Sequence, residues 1–310
     1  MPNHNGGRLK RGILAGGASI TINILLLGIA TDAEAQTQPP EIGTATVGRA
    51  TKAEALAPKK QKPLQIDQQL TGPRTRVSGT WVGHQSVPAS TPILVMAGHA
   101  DSQAMHGAGT PGAAVDLHGA APMDPRMRDE LYWNRLVRDA VVSNGQLRGL
   151  NIKAYDPGTL SIPNAEDPRT NWSVARRQST KGDYILEIHF DAYSPYGFGS
   201  GLIPAINRMP NRLDESLAIS FGRFPRLFRG GLGGPRRGIS ILEIGMLEGK
   251  LETSLRDPKT REATIQSIAH RISQSLAVGM MMPSKASNQQ PGEAGIAPRA
   301  MNPQTNSEVE

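Results

Sequence analysis

Two histidines and two glutamates stand in apolar company along this chain, and their types are those of a hydrolytic metal site. His99 follows an apolar run in Ala97-Gly98-His99-Ala100-Asp101. Glu130 lies in Asp129-Glu130-Leu131, His189 in Glu187-Ile188-His189-Phe190-Asp191, and Glu243 in Leu242-Glu243-Ile244-Gly245. Taken singly, each has an ordinary reading. A histidine after a strand is commonly a satisfied structural one, and a glutamate in a first helical turn is favoured by the helix dipole. Glu243 is harder to dismiss, because Ile239, Ile241, Leu242 and Ile244 surround it. A carboxylate in such a run needs a partner, a metal or a raised pKa. Together, two His and one Glu make a three-ligand zinc site with an open fourth position, the catalytic arrangement. Cysteine is absent, so any metal must be held by His, Asp and Glu.

These residues need a frame that brings them together. Residues 92–96 form a short continuous apolar run, as a buried parallel strand does. Further strands are predicted over 151–155, 184–190 and 238–244. Leu131, Trp133, Leu136, Val137, Ala140 and Val141 recur at helical spacing over 128–144, with Asn144-Gly145 as the stop signal. Ile265, Ile268, Ala269, Ile272 and Leu276 mark one face of a closing helix over 260–278. Strands separated by helices predict an α/β fold: one three-layer domain with a mostly parallel twisted sheet between helices. In such sheets ligands gather at the carboxyl edge, where three of the four segments end.

The expected catalytic domain spans residues 90–281. Residues 1–35 read as a signal peptide or N-terminal anchor: Arg8, Lys10 and Arg11 precede an apolar stretch, and Ala33-Glu34-Ala35 suits signal peptidase, with Gln36 as the new N-terminus. If uncleaved, the stretch is the chain's one link to a membrane. Either way the rest lies outside the cytoplasm, in the periplasm or cell envelope. Residues 36–89 read as a flexible linker and 282–310 as a disordered tail. The net charge of +7 favours polyanions, but Lys59, Lys60, Lys62, Arg74 and Arg76 in the linker carry much of it. They suit an electrostatic tether. No Arg-rich recognition helix or aromatic platform points to nucleic acid.

The four segments together resemble the zinc-dependent N-acetylmuramoyl-L-alanine amidases of bacterial cell walls. Residues 93–101 are similar to that family's "hhhDPGHGG", 129–137 to its ligand-bearing helix start, 182–192 to "DhhhSIHhNA", and 239–247 to "hhhEhGFhsN". The resemblance covers about 190 residues in the family's order. It implies that His99, Glu130 and His189 bind Zn2+ and that Glu243 is the catalytic carboxylate. Zinc would polarise the amide carbonyl and lower the pKa of its water to about 7. Glu243 would take the water proton and pass it to the leaving amine. The implied reaction is hydrolysis of the amide between N-acetylmuramic acid and L-alanine in peptidoglycan.

The chain departs from the pattern at Ala97, Ala100, Phe190 and Asp191, and Glu248-Gly249-Lys250 replaces the usual "SN". These departures bear on substrate preference and rate. Two other readings stay open: an inactive peptidoglycan-binding module of the same fold, and a zinc peptidase cutting within the stem peptide. An activator protein is left open as a partner, and a monomer is expected. His106, His118 and Asp116 lie in a Gly/Ala-rich loop that could hold a second metal or be merely flexible. Residues 195–201 are expected to border the groove. Arg223, Arg226, Arg229, Arg236 and Arg237 either bind stem-peptide carboxylates or form a solvated basic loop.

Overall fold

The computed structural model describes Thr71 and residues 74–281. Along the chain these form β1 (Ile93–Ala97), α1 (Ala113–Asp116), α2 (Asp129–Leu147), β2 (Ile152–Tyr155), α3 (Asn171–Thr180), β3 (Tyr184–Asp191), β4 (Gly201–Ile203), α4 (Arg212–Phe221), α5 (Gly233–Arg236), β5 (Ile239–Met246), α6 (Gly249–Arg256) and α7 (Arg261–Met281). The sheet order is β2-β1-β3-β5-β4. The first four strands run parallel, and β4 pairs antiparallel with β5. This is the predicted α/β architecture with a mostly parallel sheet.

Both faces of the central strands are covered, which is why β1, β3 and β5 are mostly apolar. One face carries Val95, Leu186, Ile188, Phe190, Leu242 and Ile244 against α2, α4 and α7. The other carries Leu94, Met96, Ile185, Ile239 and Ile241 against α3 and Phe224. Each buried Leu or Ile contributes about 1.5–3 kcal/mol relative to an exposed one. Side chains alternate between faces, so Glu187, His189 and Glu243 share the face of Ile185, Ile239 and Ile241.

The predicted helix stop at Asn144-Gly145 is not used. Helix α2 runs on to Leu147, and Gly149, at φ 75°, supplies the left-handed residue beyond the end. Gly145 serves packing instead, since a Cβ there would come within 2.9 Å of Ile152. A second difference lies at the domain's start. Residues 74–89, assigned to the linker, pack on the body in extended form. Trp81 Nε1 donates to the Phe224 carbonyl at 2.7 Å, Thr75 N to Ser200 O at 2.9 Å, and Gly83 N to the Glu215 carboxylate at 2.8 Å. Polar composition hid this because the strap is held by hydrogen bonds to distant partners, main-chain groups among them, that only the folded chain brings near. The proposed signal and anchor segment, the rest of the linker and the tail from residue 282 lie outside the described residues. No helix among the described residues is long and apolar enough to cross a membrane.

At the sheet's amino edge, Asp214 gathers several elements. It is fully buried. It pairs with Arg208 at 2.5 Å and accepts from Tyr184 Oη at 2.9 Å, Ser240 Oγ at 2.8 Å and the Asn211 amide at 2.9 Å, closing the capping box of α4. Replacing it would strand a partly buried guanidinium, two buried hydroxyls and a helix end. We expect Asp214→Ala to lower unfolding stability by about 3–5 kcal/mol in urea titrations. A loss under about 1 kcal/mol would mean that water satisfies these groups instead.

Candidate metal centre and cleft

The site begins with strand register. β1 and β3 are neighbours with Ala97 beside Ile188, and Gly98 N donates to Ile188 O at 2.9 Å. His99 therefore leaves β1 at the carboxyl edge, where His189 stands on β3. His99 has φ 62°, a left-handed turn that redirects the chain. Gly98 is required beneath it: a Cβ there would lie 2.2 Å from the His189 ring. On the far side, β3 pairs with β5 so that His189 and Glu243 are register partners. Glu130 arrives from the first turn of α2.

Three of these side chains converge closely. His189 Nδ1 lies 3.0 Å and His99 Nε2 3.4 Å from Glu130 Oε1. The two imidazoles meet edge to face at 4.9 Å. Glu130 Oε2 accepts from the Thr110 amide at 2.7 Å, which fixes the carboxylate. Donors of all three residues fall within 4.8 Å of one another, and this is the one such cluster among the described residues. Zinc bonds of about 2.0–2.2 Å to N and O put tetrahedral donors roughly 3.4 Å apart. The donor types and spacings therefore fit a zinc ion.

The electrostatics match. Burial alone would raise the Glu130 pKa, but the charge of His99 and hydrogen bonds from His189 and His99 hold it well below the usual range. Burial would lower the His189 pKa, yet Glu130 and Glu187 push it well above normal. The cluster thus attracts positive charge. Glu243 behaves oppositely: burial first, then Asp191 and Glu130, push it up to about 8, against the pull of His189 and Arg229. Its Oε2 is buried without a hydrogen-bond partner.

All four residues line one open cleft of about 380 Å³, bordered also by Tyr193, Tyr196 and Arg229. Its rim is anchored. Ala113 N donates to Leu247 O at 3.0 Å, and Ala114 N donates to Glu252 Oε2 at 2.9 Å. Burial pushes Glu252 up to about 7. The loop holding His106 and His118 is tied down by these bonds. Both histidines are exposed, Asp116 hydrogen-bonds Tyr193, and the structure does not gather them into a second metal site.

The five arginines separate clearly. Arg223 pairs with Glu215 at 2.8 Å, Arg226 donates to Arg208 O, Arg236 to Gly230 O, and Arg237 stacks on Trp172 at 4.2 Å. Arg229 alone of the five lines the cleft. It sits in a left-handed conformation, φ 51°, its guanidinium stacked on Phe198 and Phe228 at 4.9 and 5.4 Å. Of residues 195–201, Tyr196 lines the cleft. Their loop is shaped by Asp191, which accepts from the amides of Ala192, Phe198 and Gly199. Sequence reasoning passed over Glu187, whose carboxylate is 3.3 Å from His189 Nε2. Its i, i+2 spacing from His189 on a strand was the available signal.

No protein-family model matches the chain, and no curated protein matches it. Solved structures similar to it include the catalytic domain of an endolysin targeting Clostridia difficile, at 15% identity and a TM-score of 0.41, covering 60% of this chain and 96% of that one. The apo N-acetylmuramyl-L-alanine amidase of Mycobacterium abscessus is similar at 16% identity and 0.39, covering 60% and 98%. The catalytic domain of an N-acetylmuramoyl-L-alanine amidase from Bacillus (Paenibacillus) polymyxa is similar at 14% identity and 0.36, covering 61% and 96%.

Proposed function

We propose that this chain is an exported zinc-dependent amidase that cleaves the bond between N-acetylmuramic acid and L-alanine in peptidoglycan. The observation that carries the reading is the placement of Glu243, whose buried oxygen lacks a partner, beside a His-Glu-His cluster in one cleft. The four-segment resemblance supplies the substrate. His99, Glu130 and His189 would hold the ion, which when bound supplies Lewis-acid polarisation of the carbonyl and an acidified water. Glu243 accepts the water proton and delivers it to the departing alanine nitrogen. Tyr193 and Tyr196 wall the groove. Export follows the reading of residues 1–35 as a signal or anchor.

Arg229 faces the carboxylates of the stem peptide. A charge-assisted hydrogen bond contributes about 1.5–3 kcal/mol. Arg229→Asn, which tolerates the left-handed backbone, should therefore raise KM about tenfold or more with a smaller change in kcat. Equal KM values for the two proteins on muropeptides would remove Arg229 from substrate binding.

The deciding experiment incubates the chain from Gln36 with purified peptidoglycan and zinc, then reads products by mass spectrometry. Stem peptides with a free N-terminal alanine establish the amidase. Fragments cut within the stem identify a peptidase instead, and zinc uptake without any product identifies a binding module.

A further inference from the structure

We propose that Glu187 is a positioning residue that holds the far nitrogen of His189 and so presents Nδ1 to the metal; this rests on the zinc reading above. The His189 imidazole stands between two carboxylates. Glu130 Oε1 lies 3.0 Å from Nδ1, and Glu187 Oε2 lies 3.3 Å from Nε2, a close contact though oblique to an ideal hydrogen bond. Side chains two apart on a strand share a face, so β3 itself fixes this arrangement.

Glu187 is buried, with 5% of its surface exposed. Its Oε1 accepts from Asn171 Nδ2 at 2.8 Å, and the same amide donates to Ala97 O at 2.9 Å. Asn171 opens α3, and its backbone N donates to Asp101 Oδ2 at 2.7 Å. One Glu187 oxygen is thus locked to the scaffold between β1 and α3, and the other is directed at His189. A carboxylate at Nε2 keeps the proton there and leaves the Nδ1 lone pair for a cation. Charge alone would not need this: an apolar site for a carboxylate is costly unless its partners repay it.

The amidase motif given above has serine at this position. Glu187→Ser and Glu187→Gln can therefore be compared with wild type in the full exported chain. Zinc affinity is measured by chelator competition, the visible spectrum is recorded with Co2+ in place of zinc, and metal-free chains are melted as a control. Glu187→Ser is expected to weaken zinc binding by about 10–100-fold and to shift the cobalt bands, with metal-free melting unchanged. Glu187→Gln has one acceptor oxygen where the carboxylate offers two, so it can serve either Asn171 Nδ2 or His189 Nε2 but not both, and it should recover only part of the affinity. Affinities within twofold and identical cobalt spectra for all three chains would overturn the role. If Glu187→Ser unfolds, Glu187→Gln decides: weaker zinc with shifted bands supports the proposal, and wild-type behaviour overturns it. A wild-type chain that takes up no zinc overturns the metal reading itself, and this inference with it.

Discussion

Glu243→Gln should lower kcat on peptidoglycan about 10²–10⁴-fold, the range general acid–base groups supply, while zinc content and KM stay near wild type. The substitution keeps the shape of the side chain in β5 and removes its ability to take a proton. Its register partner His189 and the cluster beyond it are untouched. The pH dependence carries the same signature. Only the ionised carboxylate can act as base, so activity rises with pH through its pKa. In the metal-free chain that value is about 8, raised chiefly by burial. A cation held by the neighbouring cluster favours the ionised form, so the acid limb should lie below about 8. That limb should be absent from the residual activity of Glu243→Gln. A variant that retains wild-type kcat would mean that another group moves the proton.

Metal removal should have an effect of similar size. Dialysis against a chelator is expected to abolish product release, and added zinc to restore it. Stability should follow, because an ion that binds only the folded chain at 100 times its Kd adds about 2.7 kcal/mol. Glu130→Ala should lose metal more severely than it loses fold. It takes away the oxygen that both histidines approach and also the acceptor for the Thr110 amide. Zinc per chain, thermal melting and product release, measured on the same sample, separate these effects. Full activity in the chelated chain would rule out the metal mechanism.

Much of this arrangement is legible in the sequence, for reasons that differ by element. β1, β3 and β5 are buried on both faces and so read as apolar runs with few polar residues in them. α2 and α7 are long enough for helical periodicity to show. His189 and Glu243 interrupt such runs, His99 follows one and Glu130 opens α2, and the structure brings all four into one cleft. Shorter pieces were silent. α3 is polar over much of its length, and only Asn171, Ser173, Val174 and Ala175 are buried. β4 has three residues, too few for any period. The strap over 74–89 is bound through main-chain groups together with the Trp81 and Glu215 side chains, pairings that composition does not encode. Arg229 could not be told from its four neighbours, because what separates them is which partner each guanidinium finds in space. Glu187 was passed over for a related reason: its spacing from His189 is visible on β3, but its anchor Asn171 reaches it only once β1, α3 and β3 are assembled.

The ends of the sheet bear on how such a molecule keeps company with itself. The outer side of β4 is already taken: Leu202 N donates to Gly222 O and Phe224 N to Leu202 O, both at 2.9 Å. The opposite margin is β2, four residues long with Lys153 exposed on it. Brevity, charge and a prior occupant are the means by which edge strands avoid recruiting further chains. Crowded together, copies of this protein would find little on either margin to template fibrous self-association.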